Sequence, residues 1–179
     1  MLIKRPLCRQ GFRSLVFFLL YIRALMKKFV PVLIFIVISC FAGYLSMLLQ
    51  SSSLATWYPT LAKSSLTPPG YVFSVAWSIL YLLMGTAAGI IWSERTTFSW
   101  VLTGMFFFQL GLNVLWSFCF FYLQSPIFGF AALIILILFL LVYVSGCYMQ
   151  KPLAAYLNIP YLVWLLFAAY LNGYVMFNN

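Results

Sequence analysis

Three short rows of residues carry the only chemistry that the sequence spaces regularly. Trp77, Tyr81 and Met84 fall at i, i+4 and i+7, which places them on one face of a helix. Gln109, Asn113 and Trp116 repeat that spacing, and Trp164, Ala168 and Asn172 follow at i, i+4 and i+8. Each row mixes an indole or phenol with an amide, a thioether or a small side chain. Aromatic faces stack on flat apolar molecules, and carboxamides supply donors and acceptors for a polar edge.

Equally informative is the chemistry that is missing. The chain has 179 residues, of which 6% are charged, with one acidic residue and no histidine. The long apolar blocks hold no Asp, Glu, Lys or Arg, so a buried proton relay, a voltage sensor or a charged ion ring has no residues to build it. General acid–base work is left to Glu94, tyrosines, cysteines and lysines. Without histidine, a histidine-containing zinc site or a histidine-ligated haem cannot come from this chain, and neither metal nor cofactor is expected. The ligand suited to these rows is large, apolar and flat. A plainer reading fits the same spacing: amides in mid-membrane hydrogen-bond between helices, and tryptophans sit at membrane interfaces. Periodicity alone leaves both readings open.

The elements that must position these rows follow from composition. Hydrophobic residues make up 66% of the chain, too many for a soluble domain to cover with so few charges. Five uncharged segments are long enough to span a bilayer: 29–49, 72–92, 100–122, 127–149 and 153–177. Sustained period-two alternation is absent, which argues against a β-barrel. The expected fold is therefore all-α, a five-helix transmembrane bundle over residues 29–179. Ser93-Glu94-Arg95, Gln124-Ser125-Pro126 and Gln150-Lys151-Pro152 read as tight connections, and Gln50–Tyr71 as one long loop. Pro160 predicts a kink in the last span. Gly85-Thr86-Ala87-Ala88-Gly89 is a GxxxG pattern, which predicts close helix packing and a homodimer.

The formal net charge of +9 could suggest a nucleic-acid partner, but position excludes it. Seven of the ten bases, Lys4, Arg5, Arg9, Arg13, Arg23, Lys27 and Lys28, precede the first long apolar block. Such a cluster is a topology signal or a contact with anionic lipid. With the N-terminus inside, Arg95 and Lys151 join those seven, and only Lys63 lies outside; the long first loop is then external. Residues 1–28 form a basic extension, read either as an interfacial segment or as sequence upstream of a start at Met26. Cys8, Cys40, Cys119 and Cys147 are far apart, and the last three lie in apolar blocks where a thiol acts as a small hydrophobe.

The order of residues resembles a known family. Trp57-Tyr58-Pro59-Thr60-Leu61-Ala62-Lys63, Pro68-Pro69, Phe73, Trp77, Leu80-Tyr81, Met84-Gly85 and Trp92 are similar to the first loop and second helix of the tryptophan-rich sensory protein family, also called the translocator or peripheral benzodiazepine receptor family. Gln109-Leu110, Leu112-Asn113 and Trp116-Ser117 resemble its third helix. Pro160-Tyr161, Trp164, Phe167-Ala168 and Leu171-Asn172 resemble its fifth.

That resemblance implies a bundle, often dimeric, in a bacterial cell membrane, with a pocket beneath the loop between helices one and two. By position the pocket would take Trp77, Tyr81, Asn113, Trp116, Trp164, Ala168 and Asn172, covered by Trp57, Tyr58 and Pro68. The implied ligands are protoporphyrin IX and related tetrapyrroles, and isoquinoline or benzodiazepine-type drugs. The implied role is a sensor or translocator in tetrapyrrole and stress regulation. Alternatives are an enzyme for light- and oxygen-dependent protoporphyrin breakdown, with Trp77 and Trp164 flanking the macrocycle as the reactive pair, and a passive facilitator of small apolar molecules. Two departures count. Tyr174 is followed by Val175-Met176-Phe177-Asn178-Asn179 without the basic residue of the family's cholesterol motif, so cholesterol is not expected. Ser64 stands where the family commonly has proline, which predicts a looser loop.

Overall fold

A computed structural model of the chain describes the backbone of residues 6–179 and the side chains of Met26 and residues 28–179. The side chains of nearly all of the basic extension therefore lie outside the described residues, as does Cys8. Five helices follow in order: α1 (Pro6–Ala55), α2 (Gly70–Ser93), α3 (Thr97–Ser117), α4 (Pro126–Gln150) and α5 (Pro152–Asn178). All five are long and apolar enough to cross a membrane, α1 through its Lys28–Ala55 portion. The protein is a multi-pass α-helical membrane protein, as its uncharged blocks demand.

Local sequence sets the helix ends. Pro126 and Pro152 occupy the first turns of α4 and α5, where an absent N–H costs nothing. Thr96 and Ser99 form a reciprocal capping box that starts α3, the Ser99 amide donating to Thr96 Oγ1 at 3.0 Å. Arg95 and Gln124 take φ values of 57° and 50°, the left-handed turn that ends α2 and the segment after α3. α5 runs unbroken through Pro160.

The first connection is shorter than the sequence suggested. Gln50–Ala55, with its three serines, is helical, so the loop covers residues 56–69 and contains only a short 3-10 turn at Tyr58–Thr60. Two of the serines are absorbed through hydroxyl bonds within or beside the helix. Ser51 donates to the Leu48 carbonyl at 3.0 Å, and buried Ser53 donates across to the Phe121 carbonyl.

The GxxxG pattern is used within the chain. A Cβ on Gly85 would overlap the backbone of Phe35 and Ile36, and one on Gly89 the backbone of Val32. Glycine there lets α1 and α2 touch main chain to main chain. This corrects the expectation that the motif serves a dimer: α1 already covers it. The bundle core lies between α2, α3, α4 and α5, with Met84, Phe106, Leu133, Leu136, Tyr143 and Leu165 fully buried.

Candidate functional site

At the loop end of the bundle, α1, α2, α3 and α5 enclose a cavity of about 580 Å³, a size suited to a small organic ligand. Nine of the ten residues singled out from sequence line it: Tyr58, Pro68, Trp77, Tyr81, Asn113, Trp116, Trp164, Ala168 and Asn172. Trp57 does not. It lies behind the wall, edge-on to Phe120 at 5.6 Å between ring centroids. Met84 and Gln109 are fully buried and are not on the wall, so only the outer turns of their two rows reach the cavity.

Trp77 is the hub of the aromatic wall. Its ring stacks on Tyr81 at 5.6 Å and lies near Trp116 at 5.8 Å, tilted 31°. Trp164 meets it edge-on at 6.5 Å, with Phe73 beyond at 5.7 Å. The sequence reading set Trp77 and Trp164 on opposite sides of a macrocycle. In the structure they are neighbours in one corner, because α2 and α5 pack directly against each other. A ring could lie against both but not between them.

Asn113 answers the question that periodicity left open, and it does so in favour of helix bonding. Tyr81 on α2 donates to its Oδ1 at 3.0 Å, and its Nδ2 donates to the Tyr161 hydroxyl on α5 at 3.0 Å. One amide thus joins three helices. Asn172 is half committed: its Nδ2 donates to the Pro126 carbonyl at 3.1 Å, while its Oδ1 has no protein partner. Trp116 Nε1, Trp164 Nε1 and Ser46 Oγ are likewise buried, unpartnered and on wall residues. An unpaired buried polar group costs about 1–3 kcal/mol, so these atoms are where a bound molecule would gain most. Among the described residues no charged side chain lines the cavity, and no group of three potential metal ligands occurs.

Two features of the wall escaped sequence reasoning. The first is α1, which supplies Cys40, Gly43, Ser46, Met47 and Gln50. Its buried face reads Ser39, Ser46 and Ser53, seven residues apart, and that small-residue stripe was a usable signal. The second is the π-helical turn Phe118–Tyr122 that extends α3. The wider turn points consecutive Phe120 and Phe121 inward, 4% and 7% exposed, where an α-helix would turn one away. They roof the cavity and hold Tyr58 at 6.4 and 5.8 Å.

The loop is tied down at several points. Ser64 is buried and shares a 2.9 Å hydrogen bond with Tyr170 on α5, so the residue expected to loosen the loop anchors it. Asn179 reaches back from the C-terminus, accepting from the Ala62 amide at 2.8 Å and donating to its carbonyl at 3.2 Å. Lys63 donates to the Tyr58 and Pro59 carbonyls at 2.9 and 3.2 Å and sits over the Tyr58 ring at 5.0 Å. Burial raises the Tyr58 pKa above its ordinary value, so the phenol stays neutral.

The chain is 37% identical over 130 residues to the tryptophan-rich protein TspO of Archaeoglobus fulgidus, covering 73% of this chain and 84% of that one. It is 40% identical over 124 residues to the protein of the same name from Chlorobaculum tepidum, covering 66% and 77%. The human translocator protein is 34% identical over 153 residues, covering 79% and 84%. The pattern that defines the TspO/MBR family matches residues 34–177, which reaches into all five spans and takes in every residue on the cavity wall. With five apolar helices, four of them enclosing a cavity walled by tryptophans, this chain belongs to the TspO/MBR family.

Proposed function

We propose that the cavity binds a flat tetrapyrrole of the protoporphyrin IX type and that the protein acts as a sensor or translocator of such molecules. The observation that carries this reading is the cavity itself: three tryptophans and three phenylalanines around about 580 Å³, without a charge, and with two indole N–H groups lacking partners. Such a wall favours a wide aromatic body, and the free donors favour carbonyl or carboxylate acceptors at its rim. Isoquinoline or benzodiazepine-type compounds share these properties and are expected to compete. The incomplete motif at Tyr174 gives cholesterol no comparable support.

Orientation follows from lysine and arginine placement, with the N-terminus inside a bacterial cell membrane and the 56–69 loop outside. Residues 29–179 form the binding domain, with the basic extension before it. Any homodimer must use a face other than Gly85 and Gly89.

The test is titration of the purified protein with protoporphyrin IX, followed by tryptophan quenching in the dark. Saturable quenching that weakens at least tenfold in Trp164→Phe and Trp116→Phe is the expected result. Quenching that does not saturate, or that ignores both changes, would sink the reading. A second reading, porphyrin breakdown, draws on the contact between Trp77 and Trp164, which gives an electron a short path between indoles. It requires a light-dependent product that forms with wild type and is lost in Trp77→Phe while binding is kept.

A further inference from the structure

The cavity wall is closed toward the bundle and open toward lipid on one side only. Its residues on α3, the π turn and α5 are all buried or half-buried. Its exposed residues belong, among the described residues, to α1 and α2 alone. On α1 they are Cys40, Tyr44, Met47 and Leu54; on α2 they are Gly70, Ser74, Ser78 and Leu82. Both sets keep helical spacing, at steps of three, four and seven on one helix and of four on the other. Each therefore forms a continuous edge.

The two edges face each other. Ile36 meets Gly85 and Val32 meets Gly89, which fixes an antiparallel register for the pair. Carried outward, that register sets Met47 level with Ser74, and Cys40 and Tyr44 within one residue of Leu82 and Ser78. Below the cavity the glycines bring the two backbones into contact. Above it the Tyr81 ring of α2 lies against Gly43 of α1, and at the loop end a Cβ on Gly70 would touch nothing. The helices thus touch main chain to main chain at Gly85 and Gly89, are spaced by an aromatic ring at Gly43, and lose glycine contact at Gly70. The edges run for about 18–21 Å at about 1.5 Å per residue, within the segments that cross the membrane.

The aqueous side is latched by contrast. Ser64 to Tyr170, Asn179 to Ala62 and Tyr58 against Phe120 and Phe121 hold the loop over the cavity. Opening that side breaks several hydrogen bonds and uncovers aromatic surface. The exposed edges carry no such latch among the described residues: Ser74 and Ser78 donate within α2, and Gln50 donates to Ser117 on α3.

We propose that the slit between α1 and α2 is a lateral portal, through which a flat ligand dissolved in the bilayer passes edge-on into the cavity. The inference rests on the reading that the cavity binds such ligands. It adds a substrate requirement: the molecule must partition into lipid and be thin in one dimension.

A cysteine pair tests this, Tyr44→Cys with Ser78→Cys, in a variant whose native cysteines are alanine, reconstituted in liposomes. A short bis-methanethiosulfonate bridges the slit, each cysteine thiolate displacing methanesulfinate to form a disulfide, and reductant cleaves both disulfides, so the unbridged sample controls for folding. The probe is protoporphyrin IX premixed into the lipid, with loading and release followed by stopped-flow tryptophan quenching. Bridging is expected to slow both rates at least tenfold and to leave the extent of saturation unchanged. A loop bridge, Ala62→Cys with Asn179→Cys, is expected to leave the rates alone. As a second variant, Ser78→Phe in the native background should slow loading at least threefold, whereas Gly111→Phe on an open face of α3 should not. Rates indifferent to the slit bridge, or slowed as much by the loop bridge, overturn the portal. Absence of saturable quenching in unbridged wild type overturns the cavity reading itself, and the portal with it.

Discussion

The Tyr81 hydroxyl donates to Asn113 Oδ1 at 3.0 Å, and the same amide donates onward to Tyr161. Asn113 is 1% exposed and Tyr161 fully buried, so the Tyr161 hydroxyl has no water to turn to when the amide is lost. The bond that shapes the floor of the cavity is therefore also one that holds α2, α3 and α5 in register. Ligand loss in an Asn113 variant would reflect that register before any contact with ligand.

Asn113→Ala should lower stability by about 1–3 kcal/mol, because it strands the buried Tyr161 hydroxyl and deprives Tyr81 of its acceptor. Tyr81→Phe removes one bond and leaves one amide oxygen unpaired, so its cost should be smaller, about 1 kcal/mol. Thermal unfolding in detergent measures both, and the double variant should lose less than the two losses added. Strict additivity would mean that the bond contributes nothing.

Replacement of Gly89 by valine drives a side chain into the Val32 backbone, which cannot yield as a flexible side chain would. A loss of at least about 1–3 kcal/mol is expected, seen as a lower unfolding temperature and a smaller folded fraction. Gly104→Ala, where a Cβ meets nothing within 4 Å, should be neutral or slightly stabilising. Equal behaviour of the two would mean that α1 and α2 are not in backbone contact.

Ser64→Ala and Tyr170→Phe each remove one end of the 2.9 Å bond that ties the loop to α5. Hydrogen exchange in residues 56–69 should quicken several-fold in either variant, while exchange within α3 and α4 stays constant. A net cost of about 0.5–1.5 kcal/mol is the expected size. An unchanged loop would show that Asn179 and Lys63 suffice as anchors.

Gln124 sits at φ 50°, and it is exposed. A non-glycine residue in the left-handed region costs about 1–2 kcal/mol, partly offset by the extra freedom that glycine gives the unfolded chain. Gln124→Gly should thus stabilise by about 0.5–1 kcal/mol in thermal unfolding. A destabilised variant would point to an unrecognised role for the Gln124 side chain.

The raised pKa of Tyr58 has a defined sign. The folded protein holds that proton more tightly than the unfolded chain, so the associated stability is complete below pH 10. It is lost as pH climbs through the folded value. Ultraviolet titration of tyrosinate should lose a late-ionising component in Tyr58→Phe, and the alkaline unfolding of that variant should be less steep. Loss of an early component instead would refute the burial argument.

The sequence by itself determined the membrane class, the five spans and the face of each helix that carries aromatic and amide groups. Those properties belong to single segments. A charge-free block must satisfy its own backbone in lipid, and helical spacing says which side chains share a face. Even the α1 wall was half legible, in Ser39, Ser46 and Ser53 at seven-residue intervals. What a face meets is a property of neighbours, and only the tertiary structure decided it. Gly85 and Gly89 could have served a second copy, yet they seat α1. Trp77 and Trp164 could have faced one another across the cavity, yet they share a corner. The added residue of the π turn brought Phe120 and Phe121 inward together, and no period in the sequence encodes that shift. Helical spacing fixes rotation about one axis; contact depends on where the other axes lie.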